Sequence, residues 1–188
     1  MSITSTRWCR VLPVAGGVVV ASVLAGGCGS GQTVETGHPP TTTTQAATDP
    51  VAADGCVQSR TADVVSGSGP GGESDGPDAI LAFEHAYYVD RSATAAMRVA
   101  ADGATSGHTG RLLTAEDMQH GIDHIPADTR YCVRIAPAVT GDIPQGWWRY
   151  AVTLTQQPPG QPPAAMEQVI TTVRDEQGRA RITAIAPG

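Results

Sequence analysis

The chain has 188 residues, with twelve arginines and no lysine, and a formal net charge of −6. Its length allows one ordinary domain with extensions. The acidic balance argues against general nucleic-acid binding, and the missing lysine excludes Schiff-base and P-loop chemistry.

Residues 1–27 read as an export signal. Arg7 and Arg10 form a short positive region, followed by the uncharged, mostly apolar run Val11–Ala25. A run of about fifteen residues suits a signal core and falls short of the ~20 that a membrane-spanning helix needs. Pro13 and Gly16-Gly17 weaken it further as a helix in lipid. No twin-arginine pair is present, so ordinary Sec export is expected. The run ends in Leu24-Ala25-Gly26-Gly27-Cys28, which resembles the lipobox of bacterial lipoproteins, with the leucine one place further back than the commoner pattern. The resemblance implies a diacylglycerol on the Cys28 thiol and cleavage just before it. The mature chain would then start at Cys28, held on the outer face of the cytoplasmic membrane by its acyl chains. A plain secretory signal and an uncleaved anchor are the alternatives.

Residues 28–55 lack apolar periodicity and are rich in Thr, Pro, Gly and Ala, so they are expected to be a disordered tether. Thr41 to Thr44 could accept O-linked sugar. Of the four cysteines, Cys9 belongs to the signal and Cys28 to the lipid site. Cys56 and Cys132 remain as one pair in an exported chain, where disulfides persist. The bridge would make residues 56–76 an arm and loop pinned to the strand that holds Cys132.

A domain over 77–188 follows. A helix is expected to open at Asp75-Gly76-Pro77, with Ser74 or Asp75 as cap and Ile80, Phe83 and Tyr87 at helical spacing, widened by Leu81 and Tyr88. Ser92 can cap a short helix over Ala93–Ala100, and residues 104–110 read as loop. Thr114-Ala115-Glu116-Asp117 has the form of a capping box and opens a third helix. The period then changes to two. Strands are expected at Tyr131–Ile135, around Trp148–Leu154, at Met166–Val173 and at Ala180–Ala186, the last with Ile182 and Ile185 on opposite faces. Short links make these an antiparallel meander, and the whole an α+β layout with helices on one sheet face.

This order, and above all the stretch Ala79-Ile80-Leu81-Ala82-Phe83-Glu84-His85-Ala86-Tyr87-Tyr88-Val89-Asp90-Arg91-Ser92-Ala93-Thr94-Ala95-Ala96-Met97, resembles the nuclear-transport-factor-2-like, or cystatin-like, cone fold. The resemblance implies a curved antiparallel sheet and helices enclosing a pocket. Enzymes, ligand carriers and protein-contact modules all use this fold. The whole chain resembles uncharacterised actinobacterial lipoproteins. A GC-rich coding bias, read from the missing Lys and Asn, agrees with that source.

Candidate chemistry is sparse. His120 and His124 share a helix face with Glu116, Asp117 and Asp123 nearby, a possible metal pair, but one without a firm third ligand and opposite the apolar side. Glu84, His85 and Asp90 lie on or beside the first helix. His85 or Asp90 is the candidate acid–base residue there, while Glu84 and His85, being adjacent, must face apart. Trp147-Trp148 should send one ring into the core and the other outward or into the pocket. No nucleophile elbow appears, and no cofactor is implied. The expected function is a lipid-anchored, non-catalytic envelope protein that binds a partner protein or a small apolar ligand. The alternative is an envelope enzyme with an Asp/His acid–base pair.

Overall fold

Asp75, Ser92 and Thr114 set the starts of three helices. The computed structural model describes residues 49–137 and 144–188. The export signal, Cys28 and the tether up to residue 48 lie outside the described residues. Helix α1 (Gly76–Tyr88) begins where the Asp75 carboxylate accepts the Asp78 backbone N–H at 2.9 Å, with Pro77 in the first turn, where no N–H is required. In α2 (Ala93–Met97) the Ser92 hydroxyl accepts from Ala95 N–H at 3.2 Å. In α3 (Ala115–His124) the Thr114 hydroxyl caps the helix, accepting from Asp117 N–H at 3.1 Å and donating to the Asp117 carboxylate at 2.8 Å.

α2 stops earlier than its composition suggests because the chain is claimed by a sheet. Ile182 N–H donates to the Val99 carbonyl at 2.8 Å, and a strand, β3, starts at Ala100. In chain order the strands are β1 (Ser59–Arg60), β2 (Val65–Gly67), β3 (Ala100–Ser106), β4 (Arg111–Leu112), β5 (Arg130–Pro137), β6 (Trp147–Gln157), β7 (Ala164–Arg174) and β8 (Ala180–Pro187). Their order across the sheet is β1-β2-β5-β6-β7-β8-β3-β4. The expected meander β5 to β8 forms its centre. All pairings are antiparallel except β3 with β8, which run parallel at one edge. The segment 104–110, expected as loop, holds the end of β3, and Ser66 and Gly67 of the expected loop belong to β2.

The architecture is α+β, with helices on one face of a curved sheet. The core lies between α1 and the inward side chains of β5 to β8. Ile80, Val133, Val152, Ile170 and Ile182 are fully enclosed there. Ile182 and Ile185 turn the same way, contrary to the alternation expected for β8. Thr172 pairs with Ile182 and Thr171 with Ala184, so Thr183 is an extra, bulged residue that shifts the phase by one. The bulge aims Ile185 at the helices.

The arm is anchored as the cysteine count suggests. Cys56 and Cys132 form a disulfide with their Cα atoms 5.6 Å apart. β2 pairs with β5 through Val65–Ile135, Ser66–Arg134 and Gly67–Val133. Residues 49–55, assigned to the tether on composition, belong to the folded unit. Ala53 is 3 % exposed, and its N–H donates to the Tyr131 carbonyl at 3.0 Å. Their small side chains hide an edge pairing that local pattern does not announce.

Candidate pocket between the first helix and the sheet

The inward faces of α1 and β6 to β8 do not close completely on one another. Between them is a cavity of about 280 Å³ lined by Phe83, Glu84, Tyr87, Tyr88, Ser106, Ile125, Leu154, Gln156, Met166, Gln168 and Ile185. Phe83, Glu84, Tyr88 and Leu154 are buried, and Met166 is exposed, so the first four lie deep and Met166 sits at the rim. The bulge at Thr183 puts Ile185 on the wall. Gly121 of α3 matters for the opposite wall, because a Cβ there would come 2.5 Å from the Tyr87 hydroxyl. The glycine lets the Tyr87 ring lie close against α3. Arg91 fixes the end of that helix, donating to the Ile122 and Ile125 carbonyls at 2.7 and 3.0 Å. A guanidinium there also favours the negative end of the helix dipole.

Glu84 is the unusual group. It is 3 % exposed, and no hydrogen bond or counter-cation offsets its charge among the described residues. Burial alone pushes its carboxyl up from 4.5 to about 8, so it carries a proton at neutral pH. Burial, and then the Glu84 charge, also raise the Tyr88 and Tyr131 phenols above their ordinary range. The Tyr88 ring stacks on Tyr131 with centroids 4.8 Å apart. Gln168, on the same cavity wall, has its Oε1 buried without a donor. A neutral acid and two amides in an otherwise apolar hollow can orient a small molecule through one or two hydrogen bonds.

His85 and Asp90 are elsewhere. His85 points from the far side of α1, with Nδ1 3.4 Å from the Ser68 carbonyl oxygen and 3.3 Å from the Tyr131 hydroxyl. Asp90 is exposed just beyond the end of α1; its backbone N–H donates to the His85 carbonyl at 3.2 Å, but among the described residues no side-chain hydrogen bond or ion pair joins the two. His120 and His124 are both exposed. Their rings lie 4.2 Å apart, and His124 Nδ1 is 2.7 Å from the His120 carbonyl oxygen. Neither Trp147 nor Trp148 enters the core; they are 39 % and 43 % exposed. They stand at the start of β6, beyond the last residue pair of β5, Pro137–Tyr150.

Glu84 was legible as an oddity. It falls between Ile80 and Tyr88 at a spacing of four, in the middle of the apolar stripe of α1. An acid in that position must face whatever the stripe faces.

No curated protein matches the chain. Solved structures do. One from Thiobacillus denitrificans, named for a calcium/calmodulin-dependent protein kinase type II association domain, is 17 % identical with a TM-score of 0.50, covering 64 % of this chain and 99 % of its own. A domain of unknown function with a cystatin-like fold from Nostoc punctiforme is 16 % identical at a TM-score of 0.45, covering 58 % and 74 %. A Δ5-3-ketosteroid isomerase from a Mycobacterium species is 14 % identical at 0.38, covering 58 % and 92 %. At such identities the likeness is one of fold, and the fold is the cystatin-like, nuclear-transport-factor-2-like cone. Residues 53–186 match the model of the domain of unknown function DUF8176, and the chain belongs to that family.

Proposed function

We propose that this protein is an exported lipoprotein of the cell envelope whose cone domain binds a small, mostly apolar molecule without transforming it. The observation that carries the binding reading is the hollow over Phe83, Glu84, Tyr88 and Leu154, with polar groups only at a few points. Of the two occupants left open by the sequence, a partner protein and a small ligand, the hollow favours the ligand. His85 and Asp90, the pair an acid–base mechanism would use, do not line it. The envelope reading rests on the signal-like first 27 residues, on Cys28 and on the disulfide, which belongs to an oxidising compartment. The lysine-free composition fits an actinobacterial source.

Two experiments test the two halves. Cys28→Ala is expected to abolish labelling by radioactive palmitate and to release the protein from the membrane fraction; unchanged membrane attachment with no label in either form would remove the lipid anchor from the account. Ser106→Trp places a large ring on the cavity wall from a half-buried position. Titration with small cyclic compounds is expected to shift the Leu154, Met166 and Ile185 methyl resonances of the native protein, and those of the variant at least tenfold less. Native methyls that stay unmoved across the series would sink the ligand reading.

A further inference from the structure

We propose that the ligand of this cavity is a small organic cation, an alkyl- or cycloalkylammonium, seated against Glu84 with its hydrocarbon on Phe83, Leu154 and Ile185. The proposal rests on the ligand-binding reading above and narrows it to one chemical class.

The cavity lacks a cationic side chain: no arginine or histidine lines it. Its one carboxylic acid, Glu84, is 3 % exposed, borders the cavity and is offset by no cation among the described residues. A buried carboxyl without a partner is costly to the fold, and an ammonium of the right size removes the cost by supplying both charge and hydrogen bonds. The amides point the same way. Gln156 and Gln168 both turn their Nε2 donors toward the Met166 sulfur, at 3.8 and 3.9 Å. The Gln168 Oε1 is left as a buried acceptor with no donor. The unmet amide group on this wall is therefore an acceptor, and it calls for a ligand that donates.

The aromatic lining agrees. Phe83, Tyr87 and Tyr88 line the cavity, and an aromatic ring attracts a cation over its face. A carboxylate ligand would meet the acid with no basic group to receive it. A ketone could accept from protonated Glu84, but it would leave Gln168 Oε1 unmet.

The test uses the full chain with three probes of one shape: cyclohexylamine, cyclohexanone and cyclohexanecarboxylate. Calorimetry at pH 7 is run in two buffers of different ionisation heat. The amine arrives as a cation and Glu84 holds its proton, so about one proton should be released for each amine bound. Tyr87, Tyr88 and Tyr131, the other titratable groups against Glu84, are held neutral by burial and take no part. The amine is expected to bind at least tenfold tighter than the ketone, and the carboxylate weakest. Glu84→Gln should weaken the amine at least tenfold and leave the ketone within about twofold. Ketone binding equal to or tighter than amine, or amine binding that Glu84→Gln leaves within about twofold, overturns the cation assignment while the ligand cavity stands. If none of the three binds, the assignment falls together with the ligand reading beneath it.

Discussion

Glu84→Gln is expected to stabilise the domain at pH 7 by roughly 3 kcal/mol, and to change it little below pH 4. In the unfolded chain the Glu84 carboxyl ionises near its ordinary 4.5, whereas in the fold burial holds its proton to about 8. Between those values the folded state binds more protons than the unfolded one. Native stability therefore falls as pH rises through this window, by about 1.4 kcal/mol per pH unit at most, and levels off above it. Glutamine keeps the shape and loses the titration, so its slope from this source vanishes. At pH 7 the difference corresponds to a rise in melting temperature of about 10 °C for a domain of this size. Urea melts of both proteins from pH 4 to pH 9 measure it directly. Parallel curves across the window would mean that Glu84 is solvated well enough to ionise at its ordinary value. A variant that is more stable yet binds less well would mark Glu84 as a residue kept for its ligand at the expense of the fold.

How far the sequence foretells this site can be judged from particular residues. The caps at Asp75, Ser92 and Thr114 and the alternation in β5 to β8 are local signals, and each element they announce is present. β3 was not foreseen because Ala-Ala-Asp-Gly-Ala-Thr-Ser has no alternation and is a strand only by pairing with the distant β8. The bulge at Thr183 is invisible for the same reason, since register belongs to two strands at once. Its effect reaches the site, because it turns Ile185 onto the cavity wall. The rule that adjacent helix residues face apart separated Glu84 from His85 correctly. Which of them faces the cavity depends on how α1 sits on the sheet. The apolar stripe around Glu84 carried that information, although an acid in such a stripe reads first as surface.

Removing the disulfide, by Cys56→Ala with Cys132→Ala, is expected to cost roughly 4 kcal/mol and lower the melting temperature by about 15 °C. The bridge closes a loop across a sequence separation of 76, and in the chain-entropy model most of its effect lies in the unfolded state. It also holds an arm with few other attachments. β2 pairs with β5 over three residues, and Asp54 meets Arg130 at 2.8 Å and exchanges hydrogen bonds with Gln157 at 2.8 and 2.7 Å. These polar contacts are partly exposed and contribute little alone. The consequence should reach the cavity through Tyr131. The Tyr131 hydroxyl donates to the Ser68 carbonyl at 2.7 Å, Ser68 is held by Gln58 and Asp49, and the Tyr131 ring stacks on Tyr88 in the cavity wall. Loosening the arm frees Tyr131, and with it the Tyr88 face. Amide exchange of residues 56–67 should therefore accelerate well below the global melt, and amine affinity should fall severalfold while Glu84 is untouched. A double variant that melts within about 3 °C of the native protein would show that the arm is held by its pairing with β5 and not by the bridge.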